Sequence, residues 1–119
     1  MRMWMVNPKD MCRQHLLGEH VELHMFIGTL KRGVSINGYI ANNLLEPKSI
    51  ISRHGDLVME MKRRGFNHYS EVDHNEVIHY LQLMNEYELN AKIDITKSSE
   101  DLFGRCQECK KRNTVRCKE

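Results

Sequence analysis

The apolar residues of this chain recur predominantly at helical spacing, and no convincing strand stands beside them. An all-α fold of three main helices with irregular connections is therefore expected. Leu16, Leu17, Leu23, Ile27 and Leu30 share one broad face at about 100° per residue, with His20 and His24 beside them. Asn7-Pro8 supplies an N-cap and a first-turn proline, and Gly33 a left-handed stop. The pattern thus predicts a first helix from there to Arg32, with irregular opening turns as far as Asp10. A second helix is expected from Glu46-Pro47 to Gly65, with Ile50, Ile51, Leu57, Val58 and Met61 inward and Gly55 weakening its middle. Its last turn, Lys62-Arg63-Arg64, complements the helix dipole. Asp73-x-x-Glu76 reads as the capping-box start of a third helix running to about Ile93, with Val77, Ile78, Leu81, Met84 and Leu89 inward. Asn37-Gly38 marks a turn within a connection over 35–45, and Thr96 to Glu100 reads as a linker.

A chain of 119 residues with 40% hydrophobic content suits one compact core. The expected organisation is a helical domain over residues 1–104 followed by a short basic, cysteine-containing tail, 105–119. The net charge of +2 is too small to argue nucleic-acid binding by itself. Its distribution is more informative. Arg105, Lys110, Lys111, Arg112, Arg116 and Lys118 face only Glu108 and Glu119 in the tail, which leaves the remainder slightly acidic. A solvated, frayed terminus would carry the same charges. No stretch approaches the roughly 18 apolar residues of a membrane span, and residues 1–8 lack a secretory pattern, so a cytoplasmic protein is the expectation, and a monomer because the three helices can bury their stripes on one another.

Three of the four cysteines, Cys106, Cys109 and Cys117, lie in the tail, and Cys12 stands near the start. In a reducing compartment Cys-x-x-Cys points to metal or redox chemistry ahead of a structural disulfide. Zinc asks for about four ligands. The tail offers three thiolates, and Cys12 or one of the seven histidines would have to fold over as the fourth.

His15, Glu19 and Glu22 fall at i, i+4 and i+7 and so line one side of the first helix. Gly18, one turn before Glu22, costs roughly 1 kcal/mol relative to Ala in a helix interior. It is explained by a close approach of chain or ligand, although an ordinary polar face with a packing glycine has the same spacing.

The segment Gln14-His15-Leu16-Leu17-Gly18-Glu19-His20-Val21-Glu22-Leu23 resembles the first helix of the pyrimidine-dimer DNA glycosylases, the dimer-specific endonuclease V type. Lys62-Arg63-Arg64-Gly65-Phe66-Asn67 resembles the basic-Gly-Phe-Asn segment closing that family's second helix, and Leu89, Lys92 and Ile93 the end of its third. The resemblance implies a base-excision repair enzyme that binds duplex DNA with damaged pyrimidines. It would combine glycosylase and abasic-site lyase activities, and its chemistry calls for no cofactor. Family enzymes act through the α-amine of their first residue, which attacks C1′ of the damaged nucleotide and forms an imine. An α-amine titrates near 7.7–8.0 as a class against about 10.4 for lysine, so a useful fraction is nucleophilic at neutral pH. Counting back from the match places this nucleophile on Met1, which the bulky Arg2 should protect from removal. Glu22 matches the catalytic carboxylate that stabilises the cationic intermediate and assists removal of the 2′ proton. Arg2 and His15 match positions near the reacting sugar, Lys92 a phosphate contact, and Lys62, Arg63 and Arg64 a basic DNA-facing segment.

Several departures stand beside these matches. Well-known members present a threonine amine. Glu88 and Val21 each occupy a position where the family carries arginine, and the family's aromatic-rich C-terminal segment is replaced by Phe103-Gly104 and the Cys/Lys/Arg tail. The tail is expected to replace the lost DNA contacts. Trp4 and Tyr39 are candidate wedge or stacking groups, with a core position the commoner fate of a single Trp. The departures leave two alternatives open: an abasic-site lyase or glycosylase for another lesion, and a non-catalytic helical zinc-binding module for DNA or protein.

Overall fold

The computed structural model describes residues 1–67 and 69–118. Among these, seven α-helices and no strand occur: α1 (Arg13–Lys31), α2 (Asn37–Ala41), α3 (Ile50–Arg63), α4 (His74–Gln82), α5 (Glu86–Leu89), α6 (Ile95–Arg105) and α7 (Gln107–Lys118). Two 3-10 turns, Pro8–Asp10 and Pro47–Ser49, precede α1 and α3. No helix among the described residues is long and apolar enough to cross a membrane.

The expected stops of the first two helices are in place. Gly33 and Gly65 adopt φ of +69° and +83°, and Val34 N–H and Phe66 N–H reach back to the carbonyls of Thr29 and Met61 in Schellman-type closures. Starts and breaks differ more. The Asn7 cap and Pro8 begin only a 3-10 turn, because Met11 is extended (φ −90°, ψ 134°) and Cys12 caps α1 instead. Within the expected 35–45 connection, Asn37-Gly38 opens the short helix α2. The expected third helix ends at Gln82. Asn85 and Glu88 then form a reciprocal capping box that starts α5, which gives Glu88 a structural use.

The last quarter of the chain departs furthest from expectation. Thr96 to Glu100 lies inside α6, capped by Asp94, with Ser98 and Leu102 buried. The Ser98 hydroxyl donates to the Trp4 carbonyl, so a residue typical of linkers serves here as an inward contact. Residues of the anticipated tail form α7, which packs on α6 and on the Pro8–Asp10 turn. Asp10 is buried there between Arg116 and the Asn113 amide. Burial would raise its carboxyl, but these partners outweigh burial and hold it below the ordinary carboxylate range.

Leu16, Leu23 and Phe26 of α1 meet Ile50, Leu57 and Met61 of α3 in the core, and Val77 and Leu102 close it from α4 and α6. Met3, Trp4 and Val6 are also buried, so the N-terminal segment runs through the core rather than over it. The Met3 N–H donates to the Leu44 carbonyl at 2.8 Å.

Two charged arrangements tie these layers together. Glu19, with a fully buried side chain, accepts from Arg53 Nε at 2.6 Å and from Nη2 at 2.9 Å. Arg53 Nη1 also donates to the Val6 carbonyl at 2.7 Å. Glu60, at the end of α3, receives Arg63 and Arg64, and Arg64 continues to the carbonyls of Pro8 and Met11. The rings of His20, His24 and His54 cluster with centroids 4.9–5.2 Å apart, His24 edge-on to the other two. Burial and then the neighbouring imidazoles push His20 below its ordinary value, and burial does the same to His54.

A buried ion pair costs most when half of it is removed, because the remaining charge is then stranded without a partner. Arg53→Met alone and Glu19→Leu alone should each lower the unfolding free energy by about 3–5 kcal/mol in urea titrations. The double replacement should cost clearly less than the sum of the two.

Candidate active site

The anchoring of Met3 fixes where the chain begins. The Arg2 N–H donates to the Glu22 carboxylate at 3.3 Å, so that carboxylate lies one peptide from the Met1 α-amine. Met1, Gln14, His15, Gly18, Glu22 and Leu44 line one cleft of about 530 Å³, a volume suited to a nucleotide. Gly18 is not packed against chain, since a Cβ built there meets nothing within 4 Å. Its missing side chain leaves the cleft open over α1. A second cleft, lined by Val21, Met25, Val34, Tyr39 and Arg32, also reaches Met1. Val21 is 55% exposed.

The residues around this site divide into reacting candidates and supports. Trp4 is core, 6% exposed, and the Arg2 guanidinium stacks 3.6 Å from its ring centroid. Arg2 is held further by Asp101 at 3.1 Å and by the Ser98 hydroxyl at 3.3 Å, so α6 fixes this cation in place. Glu19 borders the cleft but is bound to Arg53, a structural role that helical spacing could not distinguish from a catalytic one. Arg105, which also lines the cleft and approaches the Trp4 ring at 5.9 Å, was not legible as a site residue. It comes from 83 positions beyond Glu22, and no local pattern links the two.

The basic residues divide in the same way. Arg64 is committed to Glu60 and to two backbone carbonyls. Lys62 lies exposed over the Tyr69 ring, Arg63 is exposed despite its Glu60 contact, and Lys92 is exposed on the chain between α5 and α6. Lys9, Arg63, Lys111, Arg112 and Arg116 line a separate basic groove along α7.

Beside the cleft, Cys12, His15, Cys106 and Cys109 converge, their ligand atoms all within 4.8 Å of one another, in a cluster that could hold a metal ion. Cys117 is not part of it. That residue is exposed on the last turn of α7, near the Asn113 amide. The replacement of Cys117 by Cys12 and His15 follows from α7 being helical, which carries Cys117 two turns away from Cys109. The equal spacing of Cys12-x-x-His15 and Cys106-x-x-Cys109 was the available sequence signal. Burial pushes the Cys109 thiol up to about 12. At Cys106 burial also raises the thiol, but hydrogen bonds with Cys109 and Cys12 prevail and lower it. The clustered trio His20, His24 and His54 is a second group with ligand-like spacing. There the Ser70 carbonyl is within hydrogen-bond distance of both His24 and His54 Nε2.

The family model for pyrimidine dimer DNA glycosylases matches residues 1–74. The chain belongs to the pyrimidine dimer DNA glycosylase family. Comparison with curated proteins and with solved structures gave no match. The family match includes every lining residue of the Met1 cleft except Arg105, and it ends at the first residue of α4. This family member therefore builds its cleft almost wholly from the shared region, with Arg105 of α6 added from outside it.

If the space above Gly18 receives substrate, filling it should act on function and not on folding. Gly18→Ala should raise stability by up to about 1 kcal/mol. Gly18→Leu should keep the melting temperature and reduce glycosylase activity on dimer-containing duplex at least about tenfold, equivalent to ~1.4 kcal/mol.

Proposed function

We propose that this chain removes pyrimidine dimers from duplex DNA as a glycosylase with abasic-site lyase activity, using the Met1 α-amine as nucleophile and Glu22 as the catalytic carboxylate. The observation carrying this reading is the Arg2 N–H to Glu22 contact, which keeps the carboxylate one peptide from the amine at the edge of an open cleft.

The neutral amine attacks C1′, the glycosidic bond breaks, and its electron pair leaves with the base. Loss of a proton from nitrogen and opening of the sugar ring give the imine. Glu22 stabilises the cationic stage and then takes the 2′ proton, so that the C3′–O bond breaks in β-elimination. Hydrolysis of the imine frees the amine. Nucleotide extrusion would bring C1′ within reach. His15, and Arg2 stacked on Trp4, shape the wall of the cleft near the sugar. Lys62, Arg63, Lys92 and the cations of α7 would meet phosphates, with α7 supplying positive charge where Glu88 and Val21 do not. No step of this scheme calls on a metal ion, and zinc anticipated among the tail cysteines would be structural.

Borohydride trapping on duplexes carrying one thymine dimer or one abasic site, with untagged protein, tests the scheme. A covalent adduct is expected on both duplexes, and blocking the N-terminus should abolish it. Glu22→Gln should reduce strand cleavage by ~10²–10⁴-fold. An adduct on the abasic duplex alone would retain the lyase and reject the dimer as substrate. No adduct on either, from folded protein that binds DNA, would reject the enzyme reading.

A further inference from the structure

The Cys/His cluster has the geometry of a closed coordination shell. A tetrahedral zinc site with Zn–S near 2.3 Å and Zn–N near 2.0–2.1 Å requires S···S edges of about 3.8 Å and S···N edges of about 3.6 Å. Cys12 Sγ and Cys106 Sγ are 3.8 Å apart, and His15 Nδ1 lies 3.2 Å from Cys12 Sγ and 3.6 Å from Cys109 Sγ. Backbone N–H groups approach each of the sulfurs, as suits sulfur carrying negative charge. His15 N–H is 3.5 Å from Cys12 Sγ, Cys109 N–H 3.5 Å from Cys106 Sγ, and Cys12 N–H 3.1 Å from Cys109 Sγ. Both Cys-x-x-ligand pairs stand where a helix begins: Cys12 caps α1, and Cys106 lies at the break between α6 and α7.

From this convergence we infer that Cys12, His15, Cys106 and Cys109 bind one structural zinc ion that fastens the α6–α7 unit to the start of α1. Three thiolates and an imidazole are a soft, nitrogen-containing set that favours Zn²⁺ over calcium or magnesium. Four protein ligands leave no open position, so the ion holds structure and does not activate water. Binding deprotonates the thiols and releases those protons to solvent. Cys12 and His15 lie within the span matched by the family model and Cys106 and Cys109 beyond it, so the site joins the shared region to the C-terminal helices.

The site also bears on the cleft. His15 binds through Nδ1 while its ring meets Trp4 edge-on at 5.8 Å and forms part of the cleft wall. Trp4 supports the Arg2 guanidinium through its ring face, and the Arg2 backbone N–H donates to Glu22, so these contacts run from His15 to the carboxylate. The ion therefore fixes the ring on which the wall rests. Only this consequence for the cleft rests on the proposed function, and ligand binding stands independently of it.

Full-length protein purified under reducing conditions should contain about one zinc per chain by elemental analysis. Chelator-stripped protein should take up one Co²⁺, giving the intense visible absorption of a tetrahedral thiolate site, and emission from Trp4, the one tryptophan, should change with the same midpoint. Cys117→Ser should leave stoichiometry and spectrum unchanged. Cys106→Ser should lose the band, and His15→Cys should retain one cobalt with a shifted spectrum, which a purely structural role for His15 would not produce. No stoichiometric metal in protein with four titratable thiols would overturn the inference, as would loss of the band on replacing Cys117. Cobalt binding with unaltered Trp4 emission would overturn the coupling to the cleft.

Discussion

The Glu19–Arg53 pair sets the register of nearly everything around the candidate site. It joins α1 to α3 through two hydrogen bonds, and its third reaches the Val6 carbonyl in the N-terminal segment. Glu19 lies one helical turn before Glu22, so the contact that fixes one carboxylate also sets the height of the next relative to Met1. An apolar pair could fill the same volume at lower desolvation cost, but without directional bonds it would not align three segments. The Met3–Leu44 bond and the cradle around Glu60 reinforce the same alignment from either end.

The C-terminal helices complete that arrangement. Ser98 and Asp101 of α6 hold Arg2, and Asp10 receives Asn113 and Arg116 of α7. These contacts bind residues about a hundred positions apart, outside the region matched by the family model, to its first ten residues. The basic groove along α7 results from this docking, since Lys9 and Arg63 join its cations only because the helix lies against the Pro8–Asp10 turn. A segment that composition marks as a charged terminus is thus a packed structural element with Cys109 fully buried.

The legible part of the fold is the part whose signals are local. Gly33 and Gly65 stop helices through backbone geometry that few other residues adopt, and the apolar stripes of α1 and α3 follow from period alone. A motif and a count of residues point to Glu22 and Met1, which the fold sets on one cleft. The partners of Glu19 and Arg2 were not, because Arg53, Ser98 and Asp101 reach them only through tertiary folding. The composition of Thr96–Glu100 favours a linker. In the fold, Asp94 caps it and Ser98 finds a buried acceptor, so the side-chain environment overrides intrinsic preference. The same limit applies to the cysteines: the sequence offers Cys12 or a histidine only as a fourth ligand beside Cys117, whereas in the fold both Cys12 and His15 join Cys106 and Cys109 and Cys117 stands apart.

The α-amine of residue one is the proposed reacting atom. Proteolysis of the borohydride-reduced protein–DNA adduct, followed by mass spectrometry of the modified peptide, locates that atom directly. The deoxyribose-derived mass is predicted on the Met1 amine, with the lysines unmodified. A modified Lys62, Lys92 or any other lysine, with Met1 unmodified, would contradict the account.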